Sequence, residues 1–124
     1  TARVSVGPAG IEGNSESSGP ALSADGRWVA FHALASNLVA GDTNGTSDVF
    51  VRDRQAGVTT RASVAPGGVQ GAGSSVGSSI SADGRVVAFE SAAGNLVADD
   101  TNFQWDAFAH DRGDAGCVVT LDWL

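Results

Sequence analysis

Nine residues recur almost unchanged, as SADGRWVAF at positions 23–31 and as SADGRVVAF at positions 81–89. The offset of 58 also carries Asn37 onto Asn95, Asp42 onto Asp100 and Asp53 onto Asp111, and residues 3–54 agree with residues 61–112 at 28 of 52 positions without a gap. This restricts the fold more than any local motif does, because two copies of one sequence unit call for two copies of one substructure. Repeats of this length belong to propeller blades and solenoid units, whose apolar faces are covered by their neighbours. The units divide the chain into residues 1–64 and 65–124.

Each unit reads as short strands between turns. RWVAF, DVFVR and TTRASV are rich in valine, threonine and phenylalanine and are bounded by glycine, asparagine and aspartate, with no sustained helical period. Strands are expected at residues 20–23, 27–32, 48–53 and 59–64 of the first unit, at the matching places of the second, and also at 3–6 and 117–123. Asp25-Gly26 and Asp83-Gly84 are expected to supply the positive dihedrals of a tight hairpin turn, with the aspartate accepting local amide hydrogens. Alternation in RWVAF puts Val29 and Phe31 on one face and Trp28 and Ala30 on the other. Two apolar faces suit a sheet held between two others. The expected fold class is therefore all-β, with four-stranded antiparallel propeller blades, two per chain, closed into a ring by oligomerisation.

Charge narrows the function. Seven basic residues, all arginine, stand against 14 acidic ones, and the net charge of −7 argues against a nucleic-acid partner. No apolar run reaches the roughly 18 residues of a membrane-spanning helix. Cys117 is the single cysteine, so no disulfide within the chain is possible, and it is expected to act as a small apolar residue on the last strand. A chain that opens at Thr1 and holds no methionine points to processing or to a part of a longer protein.

The series SADGR, VAF, DVFVRD and TTRASV resembles the blade repeats of TolB-type β-propellers, and SADGRWVAFHALASNLVAGDTNGTSDVFVRDRQAGVTTRASV is similar to a tandem repeat of secreted or surface-associated bacterial proteins of that class. The resemblance covers residues 3–112. It implies four-stranded blades, often six in a ring, a secreted or cell-surface bacterial location, and binding more often than catalysis. Closed propellers have at least four blades. Two units would leave faces of valine and phenylalanine uncovered, so self-association is expected, with a homotrimer favoured.

In that geometry the loops at 7–19 and 65–77 and the connections at 41–48 and 99–106 emerge at one end, where a ligand is expected. Trp105, beside Gln104 and Asp106 and with Asn14 and Glu16, offers the aromatic plate and polar groups that hold a sugar ring or a peptide side chain. Asp42, Asn44 and Asp48 carry oxygens around Gly45 in a pattern that suits calcium, as do Asp100 and Asn102 in the second unit, where Phe103 replaces the glycine. The same residues also read as turn-forming side chains that bond their own backbone. GAGSSVG has valine where a dinucleotide fingerprint needs its third glycine, and no strand-to-helix context surrounds it. His32 and His110 fall at non-equivalent positions and read as structural. The leading expectation is a non-enzymatic module that binds carbohydrate or protein. A polysaccharide hydrolase or lyase using Glu12, Glu16 and Glu90, and a purely architectural pair of units, are the alternatives.

Overall fold

The computed structural model describes residues 1–42, 44–98, 100 and 104–113. These form an all-β protein of two antiparallel sheets. Strands β1 (Ser17–Leu22), β2 (Trp28–Ala33), β3 (Asp48–Asp53) and β4 (Val58–Arg61) make the first sheet, in that order; β5 (Ser75–Ile80), β6 (Val86–Ser91) and β7 (Asp106–Asp111) make the second. One 3-10 turn, Pro8–Gly10, is the sole helical element among the described residues, and none of their helices is long and apolar enough to cross a membrane. The strand expected at 3–6 appears only as an isolated bridge between Val6 and Glu12. Residues 117–123, with Cys117 and Trp123, lie outside the described residues.

The hairpin turns repeat atom for atom but differ from the expected form. Ser23 Oγ donates to Asp25 Oδ1 (2.8 Å) and accepts from the Trp28 amide (3.0 Å), while Asp25 Oδ1 also accepts the Arg27 amide (3.0 Å). Ser81, Asp83, Arg85 and Val86 do the same at 2.7, 3.0 and 2.9 Å. Only the glycines take positive φ, Gly26 at 75° and Gly84 at 76°. The aspartates keep ordinary dihedrals because four residues, not two, span the turn, and the carboxylate holds it together by accepting two hydrogens. Those hydrogen bonds lower the pKa of Asp25, through the Arg27 amide first, and of Asp83, through Ser81 first.

Core packing follows the expected alternation. Ala30, Val49 and Val51, with Trp28 beside them, meet Val87, Phe89, Ala93 and Leu96 of the second unit. On the other face of the first sheet, Phe31, Ala33 and Phe50 are covered by Ala35 and Leu38, with Val4 and Val39 against them. The phenylalanine pairs are equivalent, Phe31 with Phe50 at 5.8 Å and Phe89 with Phe108 at 5.9 Å between ring centroids. Each fully buried valine or phenylalanine contributes roughly 1.5–3 kcal/mol. The expectation that both outer faces present valine and phenylalanine is thus corrected, because the chain folds its own residues 4 and 35–39 over Phe31 and Phe50. What the second sheet exposes is smaller: Ala88, Ala107 and Ala109.

Residues 4–13 lie on the first sheet as residues 62–71 lie on the second. The amides of Val6, Gly7 and Gly13 donate to Val4 O, Ile11 O and Ser5 O, and those of Val64, Ala65 and Gly71 donate to Ala62 O, Val69 O and Ser63 O. Asn37 clips the first of these loops, accepting the Asn14 amide (2.9 Å) and donating to Glu12 O (2.9 Å). Asn95 clips the second through the Ala72 amide (2.7 Å) and Gln70 O (3.0 Å). The edge strands β1 and β5 meet through Ser78 Oγ donating to Gly19 O (3.1 Å), and the two turns through the Ala24 amide donating to Ala82 O (3.0 Å).

Candidate functional site

The loops at 7–19, 41–48 and 65–77 meet at one end, where Glu16, Ser47 and Ser74 line one cleft, and the bond from the Ser75 amide to Ser47 O (2.7 Å) ties the connection after β2 to the start of β5. Between the two sheets at that end opens a cleft of about 290 Å³, lined by Glu16, Ser18, His32, Ser47, Ser74 and Val76, with Ala33 and Leu34 as apolar wall. Ser18 and His32 Nε2 are hydrogen-bonded at 2.9 Å. His32 Nδ1 makes no hydrogen bond with a described residue. Among the described residues no third group bonds Nδ1 to orient and charge this imidazole as in a catalytic triad.

Of the expected ligand residues, Glu16 lines this cleft. Asn14 faces away from such a role: its Nδ2 donates to Ser36 Oγ (2.9 Å) and its Oδ1 accepts the Ser36 amide (2.9 Å). Gln104 and Trp105 precede β7 and are exposed, Trp105 by 52%, and Asp106 begins that strand opposite Ser91. Trp105 does not line the cleft. Ser18 and His32 are the contributors that the sequence reading assigned to structure or passed over. Glu12 is held by Arg3 at 2.6 Å on the surface, and Glu90 is exposed on the outer face of β6.

The acidic loop of the first unit closes around an arginine. Asn44 Nδ2 donates to Asp48 Oδ1 (2.9 Å) and to Gly71 O (3.0 Å), and its Oδ1 accepts the Thr46 amide (3.1 Å), so Asn44 shapes the turn and docks it on the second unit. Ser63 Oγ donates to Asp48 Oδ1 (3.1 Å). Arg61 Nη2 stands 3.6 Å from Asp42 Oδ1 and Arg61 Nε 3.9 Å from Asp48 Oδ2, all three side chains being at most 8% exposed. Burial first, and the Asp48 charge next, push the Asp42 carboxyl up to about 6 against the pull of Arg61. With a guanidinium against both carboxylates the donor set does not fit a calcium ion, which Arg61 would repel. Asp100 of the second unit is half-buried and Asn102 lies outside the described residues; among the described residues no group of three or more His, Cys, Asp or Glu could hold a metal.

The end bearing the short turns holds a larger concavity of about 390 Å³ lined by Arg27, Trp28, Asp83, Arg85 and Arg112. Its arginines are built into the fold. Arg27 grips Asp53 through two bonds (3.0 and 2.9 Å) and Arg85 grips Asp111 likewise (2.8 and 3.1 Å). Arg27 and Arg112 lie over the Trp28 ring at 4.5 and 4.2 Å, and Arg112 donates to Gly84 O (2.6 Å). The Arg27 guanidinium holds the Asp53 carboxyl down at about 2, with the Ala56 and Gln55 amides helping. No protein-family model matches the chain, and no curated protein matches it.

Proposed function

We propose that the chain is a two-blade piece of a TolB-type β-propeller and serves as a binding module for carbohydrate or protein at its loop end. The observation that carries this reading is the cleft between the sheets, where carboxylate, imidazole and hydroxyl groups stand over an apolar wall. That mixture orients a polyhydroxylated or peptide ligand through several weak polar contacts. Catalysis is less favoured, since among the described residues no acid orients the Ser18–His32 pair, and Glu12 is occupied by Arg3. The exposed alanines of the second sheet, equivalent to the covered Ala30, Val49 and Val51, favour further sheets around a ring, supplied by three copies as a homotrimer.

Light scattering should report about three chains per particle, the closed ring of six sheets. Binding in glycan-array or pull-down screens, without turnover of polysaccharide, supports the module. Turnover abolished by Glu16→Gln would replace it with the hydrolase or lyase reading. A melting temperature that rises in millimolar calcium over excess chelator would place a cation in the acidic loop with Arg61 displaced.

A further inference from the structure

We propose that a second copy of this chain completes a binding cleft of which one copy builds half, with Trp105 and Glu90 of one copy opposite Glu16 and Ser18 of the next, and that the ligand there is a neutral sugar. The inference rests on the reading of the two sheets as consecutive members of a ring, and it assigns that ring a second ligand position.

The repeat itself supplies the construction. In the cleft within one chain, Glu16, Ser18, His32 and Ser47, with the wall residues Ala33 and Leu34, come from the first unit, and Ser74 and Val76 from the second. The offset of 58 carries the first four onto Ser74, Val76, Glu90 and Trp105. The second unit therefore holds its own half-cleft. In β6, Val87, Phe89 and Ser91 are buried while Ala88 and Glu90 are exposed, so Glu90 lies on the face turned away from the first sheet. The following sheet must supply the counterparts of Ser74 and Val76. By the same offset these are Glu16 and Ser18 of another copy.

The surfaces suit that occupant. Ala88, Ala107 and Ala109 are exposed where Ala30, Val49 and Val51 of the first sheet are at most 1% exposed under the second. Their short side chains let another sheet approach closely. Residues 61–64 pass from the first sheet to the second, and the bonds that residues 62–64 make with the loop at the second sheet recur in residues 4–6 at the first, as in a chain arriving from a preceding sheet. Thr1-Ala2-Arg3 correspond to Thr59-Thr60-Arg61, of which Thr59 and Thr60 pair with Arg52 and Val51 and Arg61 with Phe50. That relation places the N-terminal residues of one copy beside β7 of another.

The chemistry of the composite cleft differs from that of the first. Where Ser47 and His32 stood, it has an indole and a carboxylate. Trp105 offers a flat apolar plate to the C–H face of a pyranose ring, and Glu90 and Glu16 accept hydrogen bonds from its hydroxyls. Two carboxylates on a chain of net charge −7 repel uronates and sugar phosphates, so the ligand is neutral.

Subunit mixing tests this. Wild type, Trp105→Ala and Glu16→Gln are each assayed for particle mass, and for binding to immobilised β-linked oligomers of glucose and of N-acetylglucosamine, with oligogalacturonate as the acidic control. The expected result is an unchanged mass, at least about a tenfold loss of affinity in each variant alone, and recovery of about a quarter of the sites when the two are refolded together at equal amounts, because each interface draws its halves at random. Glu90→Gln replaces Trp105→Ala if that variant fails to fold. A monomeric wild type removes the ring on which the inference rests. An oligomer whose mixed variants recover nothing, or in which Trp105→Ala binds as wild type does, overturns the composite cleft alone. Wild type that ignores both neutral oligomers, or prefers oligogalacturonate, overturns the sugar assignment.

Discussion

Replacing Asp42 by asparagine should stabilise the protein at alkaline pH. Three buried charges meet at this corner, two negative and one positive, and Arg61 approaches both carboxylates without a close hydrogen bond to either, at 3.6 and 3.9 Å. Asp48 has two further donors, Asn44 and Ser63. The leftover charge therefore falls on Asp42, whose carboxyl is pushed up from 3.8 to about 6, by burial above all. A shift of about two pKa units corresponds to ~3 kcal/mol against the ionised form. Asparagine keeps the shape but gives up the attraction to Arg61, so the expected net gain at pH 8 is about 1–2 kcal/mol. Because the folded pKa lies above the ordinary one, folding takes up a proton between the two values. The penalty is full above pH 6, shrinks as pH falls through 6, and is gone below 3.8. Urea unfolding of both proteins at pH 8 and pH 4, at one fixed protein concentration so that association contributes equally, should show the variant ahead at pH 8 and level at pH 4. At pH 8 the gain amounts to about 3–5 °C in Tm per kcal/mol. An Asp42→Asn protein less stable than wild type at pH 8 would refute the reasoning and make the Arg61 pair a net stabiliser.

Two further predictions concern the turn end. Gly84→Ala should cost at least about 3 kcal/mol, because a methyl group there would meet the Trp28 ring and the backbone is at φ 76°, whereas Gly26→Ala, with only Arg54 nearby, should cost about 1–2 kcal/mol from the left-handed backbone; equal denaturant midpoints would refute the Trp28 contact. Arg27→Gln should release Asp53 from about 2 toward 3.8, so the advantage of wild type is present above pH 3.8 and disappears as pH falls through 2; a difference that persists at pH 1.5 in acid unfolding curves would refute it.

How much was legible depended on whether the partner was near in sequence. β3 falls where DVFVRD placed it, and the face alternation of β2 follows from RWVAF, because pleat and local composition settle both. The Ser18–His32 contact was within reach of counting outward from the Asp25-Gly26 turn, where Leu22 pairs with Val29 and Ala21 with Ala30. An irregularity between Ser18 and Ala21 then shifts the register by one residue, so that Ser18, and not Gly19, pairs with His32. Gly19 at φ 63° next to Pro20, which has no amide to donate, was the available signal for that bulge. Arg61 could not be placed against Asp42 and Asp48 from composition, since only the pairing of Phe50 with Arg61 brings β4 over the loop. Nor could the clipping by Asn37 and Asn95, which act on backbone 23 to 25 residues away.

The two units agree where the fold requires it and part where a ligand would be read. Ser23, Asp25, Gly26, Arg27, Asn37 and Asp53 have identical counterparts, and each makes the same structural bonds in both units. Among the eight positions that line the cleft in one chain, the six contributed by the first unit all change under the offset: Glu16 to Ser74, Ser18 to Val76, His32 to Glu90, Ala33 to Ser91, Leu34 to Ala92 and Ser47 to Trp105. If these positions only filled space between sheets, substitutions preserving size and polarity would be expected, yet serine becomes tryptophan and an imidazole becomes a carboxylate. A ring made from a single repeated unit has one kind of cleft. In the ring we propose, two kinds of cleft would alternate, one of serine and histidine within each chain and one of tryptophan and glutamate between chains, so the divergence of the two units would double the chemistry that one scaffold presents at its loop end.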